Sequence, residues 1–374
     1  MDTYFSSTEL AYYARQMNLS EIGMTGQYKL KQARVGCVGA GGLGSAVMMY
    51  LAAAGVGTIG IIDDDCVDIS NLHRQLLYTY ADSGCKKTLV AKARLQQLNP
   101  AIEIITHDVR LNTANALAIL NQYDLIVDGS DNFTTRYVVN DACFSLNKAH
   151  IYASISQFAG QCATFVPKKG PCFRCLFAIP PPIDLIPNCA QGGVIGALPG
   201  ILGTLQAMEV IKLILSIGQP LIGRLLLFDG LSLQFRELTI SPNPECKVCR
   251  YEQLFSDLSY ADKPVCAVDS PEISVYELQR LKQENIDFLL LDVREPMEYE
   301  IGNLQGGQLI PLNHLPHRLA ELDRKKFTIV YCQSGQRSKR AVELLIQHDF
   351  VNVRSLQGGM KAWIEQIDPL MEKY

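Results

Sequence analysis

Residues 33–38, ARVGCV, form a short apolar run that stops at Gly39-Ala-Gly41-Gly42-Leu-Gly44, and the apolar stretch SAVMMYLAAAGV that follows has the length of a helix. GTIGIIDDD, residues 57–65, then reads as a buried strand whose carboxylates emerge at its C-terminal end. Strand, Gly-rich turn, helix and strand predict a βαβ unit. AIEIITHDV and YDLIVDGSD add strands, with TLVAKARLQQLN as a helix between them. The expected fold is therefore α/β, with a mostly parallel, doubly wound, Rossmann-like sheet. AQGGVIGALPGILGTLQAMEVIKLILSIG predicts a long apolar helix, and GRLLLFDGLSLQFRELTI a hairpin. From Ile273 the alternation starts again: helix SVYELQRLKQ, strands DFLLLDVRE and FTIVYCQSG, helix QRSKRAVELLIQHD and strand VNVRSL. The expected organisation is a domain over 1–250, a linker over 251–270 and a small α/β domain over 271–374.

The chain's 374 residues, 48% of them hydrophobic and 19% charged, fit two cores better than one. A net charge of -4 and no Lys/Arg-rich run argue against nucleic-acid or anionic-membrane partners. Between Val35 and Ile62 no residue is charged, but eight glycines interrupt the stretch and favour a nucleotide-binding unit over a membrane span. The N-terminus lacks a basic-then-apolar secretory pattern, so the twelve cysteines are expected as thiols or metal ligands in a cytoplasmic setting.

The glycines at 39, 41 and 44 follow G-x-G-x-x-G, which brings backbone N–H groups and a helix N-terminus up to phosphate; Gly42 lies within the same turn. Asp63 follows at the distance expected of a carboxylate on ribose hydroxyls. These features fit NAD or ATP equally. The polar residues beyond them favour phosphoryl chemistry, which needs cations on phosphate oxygens and a carboxylate for magnesium. Asn71 and Arg74 in DISNLHRQ, Lys87 in GCKKTLVAKAR and Asp131 in VDGSDNFTTR supply such groups.

With GAGGLGS, DDDCVDISNLHRQ, DGSDNFTTR and NCAQGGVIG in place, residues 10–250 resemble the MoeB/ThiF family, ubiquitin-activating-like enzymes that adenylate sulfur-carrier proteins. The resemblance implies ATP and Mg²⁺ as cofactors, Asp63 on the ribose, Asn71, Arg74 and Lys87 on the triphosphate, and Asp131 positioning magnesium. Arg15, in YYARQ, matches an arginine that reaches the neighbouring subunit's nucleotide, so a homodimer is implied. SGCKK departs from the family's Gly-x-Pro-Lys, which sets Lys86 against Lys87; spacing favours Lys87. The implied partner is a ubiquitin-like carrier ending in Gly-Gly, and such enzymes serve molybdopterin, thiamine and tRNA-thiolation pathways.

Two C-x-x-C pairs, Cys172/Cys175 and Cys246/Cys249, match a closed tetrahedral site for structural Zn²⁺. Cys37, Cys66, Cys143 and Cys162 are expected to pack as small hydrophobes. Cys189 follows the proline-rich PPPIDLIPN; the family resemblance implies a covalent link to the carrier there, against a packed loop thiol.

DVREPMEYE, CQSGQR and LQGGMKAW resemble the rhodanese domain, with Cys332 to Arg337 as the active loop. Small residues at 334 and 335 let the backbone curl so that N–H dipoles stabilise a thiolate or persulfide on Cys332, and Arg337 is expected to add a fixed positive charge. A phosphatase would need a longer loop. Together the two resemblances imply an enzyme: the first domain makes carrier-AMP, and a Cys332 persulfide, loaded by a cysteine desulfurase or thiosulfate, attacks the acyl carbon. The alternatives are an adenylyltransferase whose rhodanese module only docks a partner, or a non-catalytic scaffold.

Overall fold

The computed structural model describes residues 5–178, 193–250, 255 and 271–371. The chain divides into two compact units, Met1–Asp262 and Lys263–Tyr374.

The first unit is built on strands β1 (Arg34–Val38), β2 (Thr58–Ile62), β3 (Glu103–His107), β4 (Leu125–Asp128), β5 (Ala149–Ser156), β6 (Ala159–Phe165), β7 (Arg224–Asp229) and β8 (Gln234–Thr239). They form one sheet in the order β3-β2-β1-β4-β5-β6-β7-β8. Pairing is parallel from β3 to β5 and antiparallel from β5 to β8. The apolar run at β1 belongs in the middle: Val35 pairs with Ile59 on one side and Leu125 on the other. Because the chain steps outward from β1 in opposite directions, a crevice opens at the carboxyl ends of β1 and β4, the place where open α/β sheets take ligands.

Val35, Val47, Met48, Leu51, Ile59 and Ile61 are fully buried in one core, each such side chain contributing about 1.5–3 kcal/mol. The expected long apolar helix runs over Ala197–Leu215 and meets a membrane span's length and hydropathy. Here it is half buried and lies against the helix Gly42–Ala54 and β5. Its buried Gln206 donates from Nε2 to the Asp128 and Ile151 carbonyls at 2.8 and 3.1 Å, tying it to β4 and β5. β5 and β6 fall outside the strands expected from the pattern. Their connection places Gln157 at φ 52 with no Gly or Asn to announce it.

The second unit carries β9 (Glu272–Ile273), β10 (Leu289–Asp292), β11 (Gly307–Leu309), β12 (Thr328–Tyr331) and β13 (Val353–Leu356), ordered β11-β10-β12-β13-β9 and parallel throughout. The helix Val275–Gln283 starts at Ser274, whose hydroxyl accepts the Glu277 N–H at 3.2 Å. The helix Gln336–Gln347 buries Ala341, Val342 and Leu345 against the sheet. β12 is the central strand, so its carboxyl end delivers Cys332 to the ligand-binding edge.

Candidate functional site

A cavity of about 350 Å³ occupies the crevice after β1 and β4. Its floor is the Gly-rich turn, with Gly39, Gly41 and Gly42 on the wall. Gly44 is not on the wall; it is where the helix Gly42–Ala54 meets the turn, and a Cβ there would lie 2.0 Å from the Gly39 carbonyl oxygen. The first N–H groups of that helix have no partner within the helix and face an anion naturally.

Asp63 leaves β2 at the cavity edge. Its Oδ2 accepts the Ala40 N–H at 2.7 Å and its Oδ1 the Asp65 N–H at 2.8 Å. Burial pushes the Asp63 carboxyl above its ordinary range, against the lowering pull of the Ala40 N–H and Lys87. Lys87 is buried, lines the cavity and reaches Asp65 Oδ2 at 2.8 Å. Lys86 points elsewhere, to Asp108 at 3.2 Å and to the Asp64 carbonyl at 2.9 Å. Arg74 also lines the cavity, its Nη2 donating to Asn71 Oδ1 at 2.5 Å. Asn71 is therefore one step back from the wall: it holds the guanidinium and does not line the space the triphosphate was expected to fill.

Asp131 stands exposed on the wall before the helix Phe133–Ser145, which Asn132 caps by accepting the Thr135 N–H at 2.9 Å. Asp131 fits a magnesium ligand, as do the clustered carboxylates of Asp63, Asp64 and Asp65. Arg15 is exposed on the helix Ser7–Met17 and is not part of this chain's cavity wall. The wall also includes Gln75, Arg110, Ser130 and Arg136, to which sequence reasoning gave no role. Arg136 could have been found: it ends DGSDNFTTR, four residues after the cap, and one helical turn brings it back over the cavity.

Cys172, Cys175, Cys246 and Cys249 converge, with sulfur separations of 3.9 Å (172–175), 3.4 Å (172–246) and 3.3 Å (175–249). Zinc bound at 2.3 Å to four tetrahedral thiolates would set them about 3.8 Å apart, so the donor set fits that ion. Among the other thiols Cys37, Cys143 and Cys162 are buried as expected, whereas Cys66 is exposed, since it follows the acidic end of β2 and faces outward. Cys189 lies outside the described residues.

In the second unit Cys332 directly follows β12 and is buried, its Sγ accepting the Gly335 N–H at 3.2 Å and lying 3.7 Å from Ser338 Oγ. LQGGMKAW braces this loop from behind. The Met360 N–H reaches the Cys332 carbonyl at 2.8 Å and the Lys361 N–H the Gln333 carbonyl at 3.0 Å. A Cβ on Gly359, at φ +59, would fall 2.2 Å from the Cys332 oxygen, so no side chain fits there.

Arg337, expected to add a fixed positive charge, is held in an ion pair. Both its terminal nitrogens meet the Glu298 carboxylate at 2.6 Å, with each side chain 15% exposed. Burial would raise the Glu298 carboxyl, but the Arg337 hydrogen bonds hold it below its ordinary range. Glu298 belongs to DVREPMEYE, and its partnership with a loop forty residues on has no local signature.

The geometry defines a Rossmann-like nucleotide-binding domain with a four-thiol cluster, and a rhodanese domain with a backbone-cradled thiol. Residues 13–248 match the ThiF family and residues 274–366 the rhodanese-like domain. Over 97% of its length the chain is 41% identical to an adenylyltransferase and sulfurtransferase MOCS3 from Aedes aegypti, covering 89% of that protein. Over 99% it is 40% identical to a probable adenylyltransferase/sulfurtransferase MoeZ from Mycobacterium tuberculosis, covering 96%. A sulfur carrier protein adenylyltransferase from Thermus thermophilus is 52% identical over 66% of this chain and 92% of its own. The E. coli MccB structure with ATP superposes with a TM-score of 0.55 at 26% identity, over 66% of this chain and 75% of that one. The chain belongs to the ThiF family, in the branch that carries a C-terminal rhodanese domain, and is an adenylyltransferase and sulfurtransferase.

Proposed function

We propose that the enzyme adenylates the C-terminal Gly-Gly carboxylate of a ubiquitin-like sulfur carrier and converts it to a thiocarboxylate with sulfur delivered from Cys332. The observation that carries this reading is the pairing, on one chain, of a cation-lined cavity at the β1/β4 crevice with a thiol cradled by backbone N–H at the end of β12. ATP lies along the Gly-rich turn, with Asp63 on the ribose and Arg74 and Lys87 on phosphate; Asn71 fixes Arg74. Asp131 would hold magnesium, which would supply charge relief at the phosphates. The carrier carboxylate is already ionised and needs orientation more than a general base. Arg15 completes the site of a second copy, so the working unit is a homodimer.

Zinc in the Cys172/Cys175/Cys246/Cys249 cluster ties the segment after β8 to the segment after β6. The working boundaries are 1–250, 251–270 and 271–374, in a cytoplasmic enzyme. A desulfurase or thiosulfate loads Cys332, and its outer sulfur then attacks the acyl carbon of carrier-AMP and expels AMP. This leaves an acyl disulfide on Cys332, and a dithiol reductant, with Cys189 as resolving thiol, would cleave it to release the thiocarboxylate and restore Cys332; alternatively Cys189 is the thiol that links covalently to the carrier. The test is the intact mass of a candidate carrier after incubation with enzyme, ATP, magnesium and a sulfur donor. An oxygen-to-sulfur exchange with wild type but not with Cys332→Ala supports the reading; equal conversion by both overturns it.

A further inference from the structure

Arg136 is buried at 6% exposure, yet it is on the cavity wall. A guanidinium carries five N–H donors. Here Nη2 donates to the Ser130 carbonyl at 3.1 Å, and Nε is buried with no partner. The group is held flat by aromatic faces, its central carbon 5.2 Å from the Phe133 ring centre and 5.5 Å from that of Tyr152. Asp128 behind it takes its hydrogen bonds from Ser130 and from His150, at 2.6 Å and 3.2 Å, and not from Arg136. A buried Nε–H with no partner costs stability unless something fills it, and Asp128 offsets the charge without taking any of the guanidinium's hydrogen bonds.

Two anions meet in this cavity, nucleotide phosphate and the acyl carboxylate, and topology separates them. Asp63 leaves β2, on one side of β1. Arg136 follows β4 and rests on Tyr152 of β5, on the other side. From there a groove runs over β5 to β8, lined by Ser154, Gly160, Phe228 and Arg236, and Ile155 belongs to both the groove and the cavity. Arg136 thus sits on the β5 side of the cavity, the side on which Ile155 joins it to the groove.

We propose that Arg136 is a catalytic residue that receives the carrier's terminal carboxylate and aims one of its oxygens at the α-phosphorus. The inference rests on the carrier-adenylation reading and assigns the acyl subsite within it. In the step, a carboxylate oxygen bonds to the α-phosphorus, the bond to the β-phosphate oxygen breaks and pyrophosphate leaves; no proton moves, and Arg136 stays charged.

The test uses the full-length enzyme and the carrier that supports pyrophosphate exchange with it, prepared with a terminal glycine and with a terminal glycinamide. Binding is measured with a non-hydrolysable ATP analogue present. Wild type should prefer the acid by about tenfold or more, the worth of a charge-assisted pair. Arg136→Gln should bind both forms alike, and Arg136→Lys, which keeps the charge beside Asp128, should recover part of the preference. Affinity for the ATP analogue alone should change less than about twofold. A purely structural role would weaken both carrier forms equally. A wild-type enzyme indifferent to acid and amide overturns the proposal whatever the variants do, as does a variant that keeps the preference. If wild type neither exchanges pyrophosphate nor binds any carrier, the adenylation reading itself fails and takes this inference with it.

Discussion

Replacing Gly44 and Gly41 by alanine, one at a time, separates the two demands on the Gly-rich turn. At Gly44 the added carbon would stand 2.0 Å from the Gly39 carbonyl oxygen, where an ordinary carbon–oxygen contact is about 3.3–3.6 Å. Backbone faces backbone, so the helix must move by more than about 1 Å, and the cost belongs at or above the top of the usual ~1–3 kcal/mol for overpacking. Alanine returns about 1 kcal/mol of helix propensity. The net loss of about 2 kcal/mol lowers the melting temperature by roughly 4–8 °C for a domain of this size. At Gly41 the backbone is extended, at φ -78, and the nearest atom to the new carbon is Gln75 Nε2 at 3.6 Å. Gly41→Ala should therefore melt within about 1–2 °C of wild type.

ATP at a hundred times its dissociation constant stabilises its binding domain by about 2.7 kcal/mol, which raises the wild-type transition by roughly 5–11 °C. In Gly41→Ala that rise should vanish, because the methyl occupies the face that phosphate approaches. Calorimetry of the full chain with and without ATP reads both effects on the ATP-sensitive transition. A Gly44→Ala protein as stable as wild type, or a Gly41→Ala protein that keeps the ATP shift, would refute this division of labour between the two glycines.

Cys332→Ala should keep carrier-dependent pyrophosphate exchange within about twofold while losing all persulfide, read by mass after alkylation. The Glu298–Arg337 pair gives a pH signature. A carboxyl whose folded pKa is depressed contributes stability that is complete above its unfolded value near 4.3 and fades as pH falls through the lower folded value. Glu298→Gln should destabilise the ATP-insensitive transition by about 1–3 kcal/mol at neutral pH, with the gap to wild type closing below about pH 4; a gap that persists in acid contradicts the pairing. Metal analysis of Cys246→Ser should show loss of zinc, with earlier proteolysis of the first unit and an unchanged ability of Cys332 to take up sulfur. Mixing inactive Arg15→Ala with inactive Asp131→Asn should restore about a quarter of wild-type exchange through mixed dimers; no recovery places Arg15 outside the neighbour's site.

Much of the site was legible because its parts are local. The strand–turn–helix around Gly39–Gly44 and the paired cysteines announce themselves through spacing that a single turn or knuckle imposes. β5 and β6 were not, because a Gln157–Phe158 turn carries no glycine and both strands have small residues in place of a clear alternation. Lys86 and Lys87 are adjacent in sequence, and only the start of the helix at Lys87 sends one inward and the other to Asp108. Arg136 lies inside DGSDNFTTR, where the aspartate carries the recognisable signal. Arg337 was legible as a cation but not as a neutralised one, since Glu298 comes from a different element.

The bracing of the sulfur loop by LQGGMKAW has a consequence for how such enzymes diversify. Cys332 and Gln333 are fixed through their carbonyls by the Met360 and Lys361 amides, and the contact at Gly359 is with backbone alone. None of these contacts reads the side chains at 333, 334 or 336. The loop thus behaves as an exchangeable cassette seated in a rigid socket. Its exposed side chains at 334 and 336 can be rewritten to suit a different sulfur donor, while the curvature that presents the sulfur is inherited unchanged from the frame.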